Sequence, residues 1–316
     1  MHNTLAITGP IYIVIAIGFA ARRAGLFSGP DMRVLGRFVV NFALPALLFT
    51  ALSQRSLADV LDARYLGAYA IATVTVLLGA AAIARFAQKK SVPKSVLIGV
   101  GMAFSNTGFV GYPIVLQILG PPAAVALAMC MIVENVLLLP LALALAEMGS
   151  TDEQGWQRTL LQSFAGLGRN PMLLAIVAGL AVSLLGLHLS EPLVRTINML
   201  AMASTAVALF VIGGSLFGLE VRSVLSDAAT VAIGKLVLHP LAVFAMLLAL
   251  APVDPKLRMA AVIYASMPML SIYPILAQRY DEEGFCAAAL LIATLLSFFT
   301  VSGVLWAMSS VLGWTD

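Results

Sequence analysis

Three ionisable side chains stand inside stretches that are otherwise apolar enough to lie in a bilayer. They are Glu134, with Asn135 beside it, Lys235, and His239 four residues further on. The Lys235 and His239 spacing puts both on one helix face. Ionisable groups at membrane depth are costly and mark transport chemistry by default. Lys235 or His239 can supply positive potential beside an anion, and Glu134 or His239 can carry a coupling proton. The structural alternatives are a lysine that snorkels to the surface and, for Glu134 and His239, a satisfied buried hydrogen bond.

A second set of polar residues sits where a membrane helix should be uninterrupted. Ser105-Asn106-Thr107-Gly108-Phe109-Val110-Gly111-Tyr112-Pro113 combines two glycines, an asparagine and a proline, and Ser266-Met267-Pro268-Met269-Leu270-Ser271-Ile272-Tyr273-Pro274 repeats the pattern 161 residues later. Gly108, Gly111 and Pro113 in the first stretch, and Pro268 and Pro274 in the second, predict two broken helices. A break at membrane depth frees backbone groups that must be buried in protein or line a wet cavity. Amides at the start of each outgoing half-helix can hold a carboxylate, with hydrogen bonds added by Asn106, Thr107, Ser266 and Ser271. Paired interrupted segments in two halves point to the binding site of a secondary transporter. A plain kink is the structural alternative.

The elements around these residues follow from composition. With 61% hydrophobic and 10% charged residues and a mean hydropathy of +1.01, the chain reads as an all-α polytopic membrane protein. Apolar runs near 5–21, 34–53, 65–87, 94–119, 122–146, 171–189, 193–218, 228–250, 257–280 and 284–312 predict ten transmembrane helices. The first run lacks a basic leader and reads as a retained helix. A connection of about 20 residues divides the chain into a first five-helix repeat (1–147), a cytoplasmic linker (148–169) and a second five-helix repeat (170–316). Within the linker, Trp156 and Leu160-Leu161 suggest a short surface-lying helix. The 161-residue offset also matches Pro10 with Pro171, Gly18 with Gly179, Gly25 with Gly186 and Phe49 with Phe210. Five helices per copy require the repeats to lie inverted, with broken helices 4 and 9 in equivalent positions.

The net charge of +3 does not indicate nucleic acid, because the basic residues cluster in short loops and act as topology signals. Twelve of them, led by Arg22-Arg23 and Lys89-Lys90, lie on one side and five, including Arg55, on the other. This places the richer side, which includes Arg222 and Arg279, in the cytoplasm and both termini outside the plasma (inner) membrane. Cys130 and Cys286 lie in apolar segments and indicate no disulfide framework.

The sequence resembles the auxin efflux carrier family of membrane transporters, which includes bacterial carriers of malonate- and malate-like acids and plant auxin exporters. The resemblance is carried by Asn41 to Phe49 with Leu44-Pro45-Ala46, by Asn106-Thr107-Gly108 with Gly111-Tyr112-Pro113, by Asn170-Pro171, and by Pro268 with Tyr273-Pro274. It implies an inverted five-plus-five fold, a mobile domain in which helices 4 and 9 cross, a homodimer formed through helices 1, 2, 6 and 7, and an elevator-like motion. The crossover site it implies selects Asn106, Gly111, Pro113, Pro268 and Pro274. The short central loop departs from the plant members, and Met267 replaces the polar mate of Asn106.

The expected function is secondary active transport of a small organic anion, a mono- or dicarboxylate, with substrate held by Asn106, Thr107, Gly108, Gly111, Tyr112 and Pro113 on one side of the crossover and Ser266, Pro268, Ser271 and Pro274 on the other. No cofactor or metal site is predicted, and the coupling ion is a proton, sodium or neither. The alternative is a cation–proton antiporter of the same general fold, a chemistry that favours clustered intramembrane carboxylates, whereas Glu134 stands alone. A hydrolase built from Ser215 and His239 would need an oxyanion device that the sequence lacks, so no enzyme activity is predicted.

Overall fold

The computed structural model describes residues 2–53, 62–148, 155–218, 225–250 and 253–310. Arg55, Arg222 and the linker residues 149–154 lie outside them. Every regular element among the described residues is helical. In chain order these are α1 (His2–Arg23), α2 (Gly29–Ser53), α3 (Ala63–Ala87), α4 (Val92–Ala103), α5 (Tyr112–Leu119), α6 (Pro122–Glu147), α7 (Gly155–Leu167), α8 (Pro171–Leu184), α9 (Glu191–Leu216), α10 (Leu225–Ala249), α11 (Pro255–Ala265), α12 (Tyr273–Ala277) and α13 (Glu283–Ser310). Ser28, Asp62, Ser91, Asn170 and Asp254 start their helices by accepting first-turn backbone N–H groups on side-chain oxygens.

Seven described stretches are long and apolar enough to cross a membrane, or eight if α7 and α8, bent by 47°, count as one span. That is fewer than the ten runs read from hydropathy. The apolar run 257–280 is divided between α11 and α12, which are short helices on either side of Ser266–Ile272. The run 171–189 holds only 14 helical residues, about 21 Å of rise. Much of the expected linker is helical as well: α7 packs on the end of α6 and exposes Trp156, Leu161 and Phe164.

The helices pack in two groups. In one, α1 runs along α9, α8 runs along the second half of α2, and α9 also packs on α2. In the other, α3 packs on α4 and α10, α10 on α11 and α13, and α6 on α4 and α11. The first group contains one contact made twice with roles exchanged. Gly18 of α1 lies against the Phe210 carbonyl of α9, where a side chain would collide with backbone, and Gly179 of α8 lies tightly against the Phe49 carbonyl of α2. Both partners are related by the same 161-residue offset.

Proline shapes the helices that carry polar residues. Widened π-turns at Val39–Ala43, Thr107–Gly111, Val133–Leu138 and Gly234–Leu238 each end two residues before a proline, namely Pro45, Pro113, Pro140 and Pro240. A proline ring has no N–H and clashes with the carbonyl four residues back, and a wider turn accommodates both. At one end of the molecule Lys90 pairs with Asp227 at 2.7 Å, Lys94 with Glu282 at 2.9 Å and Arg279 with Glu147 at 3.0 Å. These pairs gather the ends and connections that the charge count assigns to the cytoplasm.

Candidate functional site

The two chain interruptions meet. α4 ends at Ala103, and Phe104–Asn106 leave helical geometry before the π-turn at Thr107. α11 ends at Ala265, and regular helix resumes at Tyr273. Asn106 joins the two: its backbone N–H donates to the Pro268 carbonyl at 2.8 Å, and its side-chain Nδ2 donates to Ser271 Oγ at 2.9 Å. Asn106 Oδ1 meanwhile accepts from the Phe109 N–H at 3.3 Å, capping the turn that follows.

Beside this junction is a cavity of about 180 Å³, lined by Asn106, Thr107, Gly108, Glu134, Asn135 and Ser271 together with apolar side chains such as Phe109, Leu44 and Met172. It is smaller than the roughly 300–1,000 Å³ of drug-sized clefts, a scale suited to a ligand of few atoms. Its walls come from both helix groups, since Val40, Leu44 and Met172 belong to the first. Asn170, the cap of α8, donates to Asn135 Oδ1 at 3.1 Å and so ties the first group to α6 at the cavity rim.

Of the residues selected from sequence, Asn106, Thr107, Gly108, Ser271 and Glu134 line this cavity. The remaining ones do not. Gly111 packs on Tyr264 and Met267, Tyr112 and Pro113 are buried at the start of α5, and Ser266 bonds back to the Val262 carbonyl. Pro268 contributes its carbonyl to the junction, and Pro274 opens α12.

Lys235 and His239 lie behind the junction, both fully buried. This excludes the snorkelling lysine. Lys235 Nζ is 2.6 Å from Ser105 Oγ, 2.6 Å from His239 Nδ1 and 2.9 Å from the Ala265 carbonyl. His239 Nε2 is 3.1 Å from Thr73 Oγ1, which donates to the Tyr69 carbonyl at 2.7 Å. Glu134 is also buried, and accepts from Tyr69 Oη at 3.0 Å and from Thr107 Oγ1 at 3.3 Å. Tyr69, Thr73 and Ser105 are thus part of a continuous polar network that no charge pattern in the sequence announced. One sequence signal was available, because Glu134 and Lys235 each occupy the second residue of a π-turn set by a downstream proline, and such turns are frequent at functional sites. Cys130 and Cys286 are buried free thiols, as expected of their apolar surroundings.

A family model described as "Membrane transport protein" matches residues 8–305. The chain belongs to this family, the auxin efflux carrier family. Among relatives within or close to it, the chain is 29% identical over 302 residues to a protein of Rhizobium meliloti (strain 1021) named "Putative malonate transporter", covering 95% of this chain and 94% of the relative. It is 24% identical over 304 residues to "Uncharacterized transporter YfdV" of Escherichia coli (strain K12), covering 94% of both. Family membership and the apolar spans together make the chain a multi-pass membrane transport protein.

Proposed function

We propose that the protein is a secondary carrier of small organic anions, mono- or dicarboxylates, with its substrate site in the cavity at the junction of the two interrupted helices. The observation that carries this is the polar lining of that cavity. Ser271 Oγ accepts from Asn106, which leaves its hydroxyl hydrogen to donate, and the Asn106 amide has an N–H beyond the one already engaged. These donors suit a carboxylate. Kinship with a protein named for malonate transport supports the same substrate class.

Glu134 explains how such a site would be coupled. A carboxylate beside an anionic substrate is a like charge in a confined place, and taking up a proton removes the conflict. Proton and anion would then move together. Sodium coupling or none would leave Glu134 without this role.

The reciprocal glycine contacts support two inverted five-helix repeats, 1–147 and 170–316, joined by the 148–169 segment. The division into two helix groups supports elevator-type movement of the group holding the junction against α1, α2, α8 and α9. In that motion the Asn135–Asn170 hydrogen bond parts. The exposed apolar side chains Met199 and Met202 of α9 offer a face for a homodimer in the bilayer, and the loop charges favour a plasma-membrane carrier with both termini outside the cell.

The test is counterflow in proteoliposomes over a panel of mono- and dicarboxylates, indole-acetate-like acids and sodium. Exchange confined to a carboxylate class is the expected result. Silence for every anion, with sodium–proton exchange in its place, would make the protein a cation–proton antiporter.

A further inference from the structure

The cluster behind the junction does not line the substrate cavity, and its chemistry is that of a cation site already filled. α4 and α11 stop at Ala103 and Ala265, so the negative ends of two half-helix dipoles face the junction. In carriers with discontinuous helices, such half-helix C-termini and unwound carbonyls coordinate the coupling cation. Here Lys235 Nζ lies there, bonded to the Ala265 carbonyl of one half-helix and to Ser105 Oγ just past the end of the other. Its third contact is His239 Nδ1.

The hydrogen-bond arithmetic closes for an ammonium and a neutral imidazole. The ammonium spends its three donors on Ser105, Ala265 and His239. An accepting Nδ1 leaves the ring proton on Nε2, which donates to Thr73, and Thr73 donates onward to the Tyr69 carbonyl. A buried ammonium is expensive unless its donors are filled in this way. Placement is equally specific. Lys235 is the only fully buried lysine or arginine among the described residues. Gly234 lets α10 approach, since a side chain there would come within 2.6 Å of Met102 Sδ on α4.

We propose that Lys235 is a tethered counter-cation: its ammonium permanently occupies the place between two half-helix ends where a free metal cation would otherwise bind, so the junction assembles without sodium or potassium. The transport consequence rests on the anion-carrier reading, namely that exchange proceeds in sodium-free medium. The binding consequence does not. Removing the side chain vacates a cation-sized space walled by Ser105 Oγ, the Ala265 carbonyl and His239.

The test is the melting temperature of the purified protein in sodium, potassium, choline or methylammonium chloride at equal ionic strength, for wild type, Lys235→Ala and Lys235→Met. Wild type is expected to melt at the same temperature in all four salts. Lys235→Ala should melt lower and be restored, saturably, by methylammonium or sodium but not by choline. Lys235→Met, which keeps the bulk without the charge, should respond to no cation. Saturable stabilisation of the wild type by sodium overturns the proposal, and this arm needs no variant to fold. An alanine variant that answers to methylammonium and sodium no more than to choline overturns it too, as does a methionine variant that answers as alanine does. Melting requires no transported substrate, so a failed counterflow assay refutes the carrier reading and leaves these outcomes intact. Where malonate counterflow is present, Lys235→Ala should lose about tenfold or more, as when one partner leaves a buried charged hydrogen-bond set, and methylammonium should restore it. Wild-type counterflow that requires sodium overturns the proposal.

Discussion

The two interruptions that meet at the centre are built differently. The first is brief, Phe104–Asn106 before a π-turn, and its consecutive polar side chains each have a separate task. Ser105 receives Lys235, Asn106 spans to the other interruption, and Thr107 donates to Glu134. The second runs from Ser266 to Ile272 and is mostly apolar, with Met267 and Met269 fully buried. Together with the end of α11 it gives backbone carbonyls, Ala265 to Lys235 and Pro268 to Asn106, plus the Ser271 hydroxyl. The two interruptions thus divide the labour. The first holds the side-chain chemistry, and the second supplies a frame of main-chain acceptors for it.

If this division is right, the largest effect should come from Asn106→Ala. That change removes a cap and a buried hydrogen bond between the interruptions, together worth about 2 kcal/mol. Carboxylate counterflow should fall at least about tenfold, and the melting temperature should drop by several degrees, on the order of 2–4 °C per kcal/mol for a protein of this class of size. A variant that melts and exchanges like wild type would remove the first interruption from the site.

Glu134→Gln comes next, because it tests coupling without emptying the cavity. Glutamine keeps the acceptor for Tyr69 and mimics the protonated acid. Wild-type uptake should rise as pH falls, since proton and anion are proposed to enter together. The variant should lose that dependence yet still exchange substrate for substrate. A pH profile identical to wild type would return Glu134 to a purely structural bond with Tyr69 and Thr107.

Much of this architecture was legible beforehand, for reasons that differ from residue to residue. Hydropathy reveals apolar runs because burial in lipid leaves no other option for the backbone, and the 161-residue offset pairs Gly18 with Gly179 and Phe49 with Phe210. The structure gives that pairing a meaning: the glycines face the carbonyls of the two phenylalanines in two reciprocal contacts. The prolines exposed the interruptions because a missing N–H is written in the residue type. The network was hidden. Tyr69 and Thr73 look like ordinary members of an apolar helix, and only the packing of α3 against α10 brings Thr73 to His239. Nor could spacing say that Gly111, Pro113 and Pro274 shape the junction from outside the cavity while Asn135, noted only as a neighbour of Glu134, lines it. Run length also overstated one helix, because the apolar run 171–189 holds only the 14 helical residues of α8.

Ser271→Ala should have a smaller effect than either earlier change. It removes the one side chain through which the second interruption both supports Asn106 and reaches the cavity. A neutral hydrogen bond is worth about 0.5–1.5 kcal/mol, so affinity for the exchanged carboxylate should weaken by about 2- to 10-fold with an unchanged pH profile. A loss as large as that of Asn106→Ala would mean that the second interruption contributes chemistry as much as frame.

The smallest effect should come from Met267→Leu, at the position that the 161-residue offset pairs with Asn106. Met267 is fully buried and packs against Gly111, and a swap between methionine and leucine, which have similar volumes, usually costs less than about 1.5 kcal/mol. The junction's bonds at this interruption run through the Pro268 and Ala265 carbonyls, which the swap leaves in place. Counterflow should therefore stay within about threefold of wild type, with the pH profile and the cation insensitivity unchanged, while the melting temperature falls slightly. The contrast with Asn106→Ala is the decisive quantity, because the two changes touch positions related by the 161-residue offset. Were Met267→Leu to cost as much transport as Asn106→Ala, with the protein still folded, the side chains of the two interruptions would be equally engaged in substrate handling. The site would then be a symmetric clamp, and the apolar lining contributed by Leu270 and Ile272 would have to be counted among the groups that select the substrate.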